Sequence, residues 1–419
     1  MRRFLTFTFV FTLAAAASLQ LAPAKPHAQE AERTYTDYNI TLDEAVDIQL
    51  NEAGNPITDV YKGAPAYVNA DHIEFTGPNK VQVLKANIRT EPNFEAPIAH
   101  QFIKNAPVNI VGIESGDEYK GSTLWFKIIY EGEPYYIHTD LVDTYQVKTT
   151  ASTNVYAGPG EDYHAYGALE KGKKLTIASL NDTYIQISYQ NWRKPTRDDI
   201  KARLKPDEKN MYQHVRLDQT IGVSADALNH VLTGHGILEN QGQAFIDGGK
   251  EHSINEAYLI AHAMLETAHG TSELATGIEV GLNKKDEPSL VTEENENDLT
   301  EIETVYNMFG IGAADSCPLE CGAKQAYELE WFTPEDAIKE GAGWIGQDFI
   351  YNEFEQNTLY KMKWNPKMAE GNYWKQYATD IGWAEKQTEK IAQIYRQLDN
   401  PTYAYDIPVY KDYRVAESE

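Results

Sequence analysis

The chain has 419 residues, and its 63 Asp and Glu outnumber 37 Lys and Arg, giving a formal net charge of −26. Such a charge excludes nucleic acid and polyanionic surfaces as electrostatic partners, because the long-range field repels them. The length predicts two or three domains rather than one core.

At the start, Arg2 and Arg3 precede an apolar run from Phe4 to Leu21, followed by small residues in "APA" (22–24) and "PHA" (26–28). That order predicts a secretory signal over 1–28, cut after Ala24 or Ala28. The run is also long enough for an uncleaved anchor, but the polar chain beyond it fits processing better. The mature chain is therefore expected outside the cell, off the membrane after cleavage, and monomeric. Residues 29–79 hold one short helical pattern and read as a lead segment.

From Val81 the texture changes to short alternating runs bounded by turn residues, the pattern of β-strands. "VQVLKANIRTEPN", "APVNIVGIE", "LWFKIIY" and "PYYIHTDLV" follow one another. The pattern then recurs. "STNVYAGPGEDY" answers "KANIRTEPNFEA" in register, Asn154 matching Asn87 and Pro159 matching Pro92. A repeat of this size predicts two similar small β-domains, over 80–146 and 147–192. Polar, Pro-punctuated residues 193–211 read as a linker.

Residues 212–400 carry helical patterns, and 401–419 read as a tail. Ser224 and Thr333 are predicted N-caps, with Pro334 at a first helical position. Ser253 and Glu256 have capping-box spacing for a helix starting near Ile254. On that helix Ala257, Ile260, Ala261 and Met264 form the buried stripe. Glu266 lies about 200° around from Met264, on the face of Leu259, His262 and Ala263. The residues after it, 267–272, are small or hydroxylic and break the helix. A carboxyl at that negative end of the helix dipole is raised in pKa, as the general acid of glycoside hydrolysis must be. By spacing alone an ordinary solvated Glu remains the commoner reading. His262, Glu266 and His269 share a face, but their order is not the His-Glu-x-x-His of zinc peptidases. No metal and no cofactor are expected. Cys317 and Cys321, four apart around Pro318 in an oxidising compartment, favour a local disulfide over free thiols.

Longer stretches carry resemblances. "ANIRTEPN" resembles the Asn-Val-Arg-x-Gly-Pro turn of bacterial Src-homology-3-like domains, and Trp125 sits on the strand where theirs does. In the second copy Tyr156 replaces the Arg and Tyr184 the Trp. Such modules in exported proteins bind cell wall, or serve as spacers without affinity. "YLIAHAMLETAHGTSELATG", "VYNMFGIGA", "QNTLYKMKWNP" and "QYATDIGWA" occur in that order. Together, over Val215 to Leu398, they resemble the β-N-acetylglucosaminidases of glycoside hydrolase family 73, most of all the exported autolysins of the Bacillus type.

The resemblance implies a multidomain chain: two small all-β Src-homology-3-like barrels, then a mainly α, lysozyme-like catalytic domain with a cleft for peptidoglycan glycan strands. It places the catalytic acid on Glu266 and a hydrogen-bonding phenol on Tyr377. Asn307 and Phe309 are implied sugar-binding residues, and His262 joins them. Glu279 stands at the family's acidic loop position as a second carboxylate. The acidic insert 292–303 reads as a solvated loop over the cleft. Where many relatives have Gly after Glu-Thr, this chain has Ala268. Trp344 and Trp364 read as core or cleft wall. The implied activity is endo-hydrolysis of the β-1,4 bond between N-acetylglucosamine and N-acetylmuramic acid by a secreted, cell-wall-associated enzyme. A lytic transglycosylase and a non-catalytic wall-binding protein remain as alternatives.

Overall fold

The computed structural model describes residues 31–51, 55–206, 208–314, 316–366 and 376–414. The segment read as a signal, 1–28, lies outside them. Strand β1 (Glu32–Asp37) leads into helix α1 (Leu42–Asn51). Thr41 starts the helix: the Thr41 N–H donates to the Glu44 carboxylate (2.7 Å), and the Glu44 N–H donates to the Thr41 hydroxyl (3.1 Å). That reciprocal cap satisfies two donors left free by helix geometry.

Next come β2 (Tyr67–Asn69), β3 (Ile73–Phe75), β4 (Lys80–Val81), β5 (Lys85–Arg89), β6 (Ile98–Ile103), β7 (Ile110–Tyr119), β8 (Ser122–Tyr130), β9 (Glu133–His138) and β10 (Val142–Asp143). Then follow β11 (Gln146–Thr149), β12 (Thr153–Tyr156), β13 (Ala165–Leu169), β14 (Lys174–Ser179) and β15 (Tyr184–Ile187). They form two β-units. The first is a five-stranded sheet ordered β6-β5-β9-β8-β7, with β4 and β10 paired beside it. Its core is Val81, Ile88, Ile110, Phe126, Ile128 and Ile137. The second is a seven-stranded sheet ordered β13-β12-β2-β15-β14-β11-β3.

That second order corrects the expected domain boundaries. Strands β2 and β3 come from the supposed lead segment, yet β2 lies between β12 and β15 as β9 lies between β5 and β8. The registers agree: Arg89↔Tyr136 and Trp125↔His138 in the first unit, Tyr156↔Tyr67 and Tyr184↔Asn69 in the second. Each of these strands then makes a single 3-10 turn capped by a side chain, His138 accepting from the Asp140 N–H and Asn69 from the Asp71 N–H. The second unit is thus permuted. Its last strand is supplied from upstream, and the first unit is inserted into it. A three-residue strand is too short for periodicity to reveal, and its displacement in chain order hides it from a fixed-offset repeat.

The supposed linker also folds. Helix α2 (Arg197–Leu204) starts at a complete capping box between Thr196 and Asp199. It packs Ile200 and Leu204 with Leu42 and Val46 of α1, and with Tyr360, Trp364 and Tyr410.

The C-terminal half holds α3 (Ala225–Leu232), α4 (Gly242–His252), α5 (Glu256–Glu266), α6 (Glu273–Thr276), β16 (Ile278–Leu282), β17 (Pro288–Leu290) and β18 (Thr300–Val305). After these come α7 (Pro318–Glu328), α8 (Pro334–Ile345), α9 (Leu359–Trp364), α10 (Trp383–Gln397) and β19 (Ala404–Val409). Ser224 caps α3 and Thr333 caps α8, as read from sequence. Cys317 and Cys321 are joined across the start of α7. Strands β17-β16-β18 form a three-stranded antiparallel sheet, so the acidic insert is in part a strand rather than a loop.

Helix α5 departs from expectation at its start. Asn255 is the N-cap, its Oδ1 accepting from the Tyr258 N–H at 3.1 Å, whereas Ser253 closes α4 with φ 52°. Glu256 is buried and accepts from the Ile221 N–H at 2.8 Å, so no Ser253–Glu256 box exists. Leu259 and Ala263, expected on an open face, are also buried. The tail is not free either: β19 pairs in parallel with β1, from Glu32↔Ala404 to Asp37↔Val409. Buried Lys361 ties both to α9, its Nζ donating to Asp406 (2.6 Å) and to Thr36 (2.9 Å).

Val68→Ala is expected to cost roughly 2 kcal/mol and to raise amide exchange in β12 and β15 while sparing β5 to β9. Unchanged exchange in 153–187 would mean that β2 does not complete the second unit.

Candidate active site

Helix α5 stops because its last turn is locked from outside. Thr267 is buried; its hydroxyl donates to the Ala263 carbonyl (2.6 Å) and accepts from the Gly270 N–H (2.7 Å). Ala268, His269 and Gly270 then take φ of 48°, 61° and 77°, three left-handed residues that cannot continue a helix. Gly270 lies flat on residues 235–237: a Cβ there would stand 2.1 Å from the His235 carbonyl oxygen, and the Ile237 N–H donates to the Gly270 carbonyl at 3.0 Å. Only glycine fits. The φ of Ala268 is one that glycine adopts without strain.

This stop leaves Glu266 beside a cavity of about 170 Å³ whose wall includes Tyr258, His262, Leu265, Tyr377, Trp383 and Gln387. The Glu266 side chain keeps 35% of its exposure. Burial raises its carboxyl above the ordinary range. The direction agrees with the sequence argument, but the cause is desolvation rather than the helix dipole.

His262 Nε2 stands 3.7 Å from Glu266 Oε1 and 3.5 Å from the Tyr377 hydroxyl. Burial pushes this imidazole down to about 4. It is therefore neutral at neutral pH and does not pull the Glu266 proton off by charge. Its buried Nδ1 has no hydrogen-bond partner among the described residues. The Tyr377 phenol is pushed up to about 12 by burial and by Glu266, so it remains a donor. Its ring stacks on Trp383 (4.3 Å, 24°) and tilts against Phe349 (4.9 Å).

The structure thus gathers Glu266, His262 and Tyr377, but not every expected residue. Asn307 is buried and its amide is fully used: Nδ2 donates to the Ile311 and Gly322 carbonyls, and Oδ1 accepts from the Phe309 and Ile311 N–H groups. No group is left for a sugar. Its task is to shape a loop that brings Gly310 to the acid, where an added Cβ would sit 3.2 Å from Glu266 Oε2. Phe309 is buried between His262 (5.6 Å) and Gly341 rather than offered for stacking.

Glu279 lies in β16 opposite Thr304, exposed, and does not line the cavity around Glu266. His269 turns away and stacks on His235 (5.0 Å, 23°), so it does not converge with His262 and Glu266. Trp364 is buried, whereas Trp344 is exposed and is neither core nor wall of this cavity.

Sequence reasoning missed Trp383, Gln387 and Gly310. For α10, the available signal was a polar Gln387 between the cavity-lining Trp383 and Ile391, at helical spacing.

A half-buried, raised carboxyl at the end of a core helix, with a neutral histidine, a protonated phenol and an aromatic wall, defines an acid–base site of the glycosidase kind. Residues 242–396 match the family model described as mannosyl-glycoprotein endo-beta-N-acetylglucosaminidase, and this domain belongs to that glucosaminidase family. The chain is 41% identical over 252 residues to a beta-N-acetylglucosaminidase of Bacillus subtilis, covering 58% of this chain and 26% of that protein. It is 41% identical over 225 residues to a bifunctional autolysin of Staphylococcus aureus, covering 52% of this chain and 17% of that one. Against the crystal structure of S. aureus glucosaminidase B the identity is 33% and the TM-score 0.43, over 53% of this chain and 81% of that chain. The chain thus spans about a quarter or less of the length of those two full-length relatives.

Two stability measurements check this geometry. Ala268→Gly is expected to stabilise by about 0.5–1 kcal/mol, by relieving a left-handed alanine, whereas Gly270→Ala is expected to destabilise. The second concerns His262. Its folded pKa of about 4 lies below the ordinary 6.5, so between those values the unfolded chain binds a proton that the folded chain refuses. Stability from this site is present above 6.5 and falls as pH drops toward 4. Urea unfolding of His262→Gln at pH values above and inside that window is expected to show a smaller acid loss than the wild type.

Proposed function

We propose that the protein is a secreted, cell-wall-associated endo-β-N-acetylglucosaminidase that cleaves the β-1,4 bond between N-acetylglucosamine and N-acetylmuramic acid in peptidoglycan. The observation that carries this reading is the placement of Glu266, a carboxyl whose hold on its proton is strengthened by burial yet which is open to a cleft. The glucosaminidase family of its domain and the relatives' activities support the bond assigned.

In this mechanism Glu266 gives its proton to the glycosidic oxygen as the bond to the anomeric carbon breaks. Neutral His262 packs the acid without stabilising its anion by charge. The Tyr377 hydroxyl donates toward the substrate's acetamido group or the incoming water, where charge develops. Gln387 supplies the wall with the amide that Asn307 cannot. Among the described residues lining this cavity, Glu266 is the lone carboxylate. The substrate's own acetamido oxygen therefore takes the second role at the anomeric carbon, and Glu279 has no contact with the reacting atoms.

The two β-units are assigned as Src-homology-3-like barrels that hold the enzyme on the wall. In the first, Arg89 donates to the Ala96 carbonyl at 2.7 Å to fix the turn, and Trp125 Nε1 donates to the Asp117 carbonyl at 2.9 Å. Phe94 and Tyr119 stay exposed beside Trp125, an aromatic surface suited to ligand contact.

Digestion of purified peptidoglycan, followed by borohydride reduction and mass spectrometry, tests the reaction. Wild type is expected to yield reduced N-acetylglucosamine ends. Glu266→Gln should lower the rate by about 10²–10⁴-fold, and Tyr377→Phe by roughly 10²-fold, while Glu279→Gln should leave it within severalfold of wild type. Anhydro-muramic ends would make the protein a lytic transglycosylase. Binding without new ends would make it a wall-binding protein.

A further inference from the structure

We propose that Gln49 and Ile57, far upstream of the glucosaminidase domain, act with buried Lys363 as positioning residues for Tyr377. The inference rests on the reading that Tyr377 serves the reaction at Glu266. Tyr377 needs such help because it sits on irregular backbone between α9 and α10, outside any helix or named strand. Backbone of that kind has no ladder of its own and must be held by groups from elsewhere.

Those groups come from α9, where the Met362 carbonyl accepts from the Tyr377 N–H at 3.1 Å, and from the N-terminal region. The Ile57 N–H donates to the Thr379 carbonyl (3.1 Å), and the Ile381 N–H donates to the Ile57 carbonyl (2.9 Å), a parallel bridge centred on Asp380. Gln49, buried on α1, accepts from Gln376 Nε2 at 2.9 Å. From within the catalytic domain, Lys363 Nζ donates to Gln376 Oε1 (2.9 Å) and to the Ala378 carbonyl (2.8 Å), gripping the residues on either side of Tyr377. Lys363 is fully buried, and burial pulls its ammonium down to about 7. The amine donates both bonds in either protonation state.

The brace continues into the second β-unit. Thr58, next to Ile57, exchanges two backbone hydrogen bonds with Arg193 (2.8 and 2.9 Å). The buried Arg193 guanidinium donates to the Ala64 carbonyl at 3.0 Å and covers the Tyr166 ring at 4.4 Å. Lys386 adds a second tie, its Nζ shared between Asp59 (2.9 Å) and Asp380 (2.8 Å). Gln49 and Ile57 both fall outside residues 242–396. The domain that the family defines is therefore only part of the machinery that fixes this phenol.

The test uses the full chain with Gln49→Leu and Lys363→Met, alone and combined with Tyr377→Phe, on soluble glycan fragments. Each single variant is expected to lower kcat about tenfold with KM within twofold. In the Tyr377→Phe background the same changes should have little further effect, since they act through the missing hydroxyl. Hydrogen exchange of the peptide covering 376–382 should rise in both variants, with α3 unchanged. Full activity and unchanged exchange, or losses that add in full to Tyr377→Phe, would overturn the proposal. Gln49→Leu, on a helix outside the catalytic core, decides the matter should Lys363→Met not fold. A wild type without turnover would sink the proposed reaction, and exchange of 376–382 would then decide the brace by itself.

Discussion

The site depends on one close backbone contact, Gly270 against residues 235–237. Helix α5 is apolar almost all round and would bury its end if it ran on. The contact forces a left-handed turn directly after Glu266, so the last residue of a core helix is also the first to reach the cleft. A carboxyl placed there loses hydration, which raises its pKa, yet it remains open to the cavity beside it. Side chains that merely packed well would not achieve this. The stop has to come at this residue, and it is set by Gly270 and Gly236, since a Cβ on Gly270 would stand 2.1 Å from the His235 carbonyl oxygen and one on Gly236 2.2 Å from the Gly270 carbonyl oxygen.

Around that point the chain supports the cleft from both ends. Strand β1 pairs with β19, and α1 and α2 share a core with Tyr360 and Trp364 of α9 and with Tyr410. The second β-unit takes its completing strands from the segment that follows α1. Segments that read as lead, linker and tail therefore form one continuous mount for the glucosaminidase domain. The second β-unit is joined to the cleft by hydrogen-bonded chain, through Thr58 and Arg193 on one side and Ile57 and Thr379 on the other.

Much of this was legible in the sequence where local chemistry decides the outcome. The helix caps at Ser224 and Thr333, the β-repeat and the disulfide between Cys317 and Cys321 follow from short patterns, whereas Glu266 was singled out by the resemblance of the longer motif around it, its helix-end position alone fitting a solvated Glu better. What escaped was decided by distant partners. Ser253 and Glu256 have capping-box spacing, but Ile221 claims Glu256 and a left-handed turn claims Ser253. Asn307 has the chemistry to bind a sugar, but its loop consumes every bond it can make. Strand β2 was invisible because three residues carry no period and its sheet partners lie about ninety positions or more downstream. The direction of the Glu266 shift was anticipated and its cause was not, since desolvation depends on walls that only the fold assembles.

The ionisation of Glu266 is the most direct test. Infrared difference spectra between wild type and Glu266→Gln, recorded across pH, isolate the protonated carboxyl of this residue. The burial described here predicts that its band persists above the ordinary carboxyl value of 4.5 and disappears only at higher pH. A band lost at or below 4.5 would show an ionised, solvated glutamate with no proton to give, and would contradict the role assigned to the end of α5.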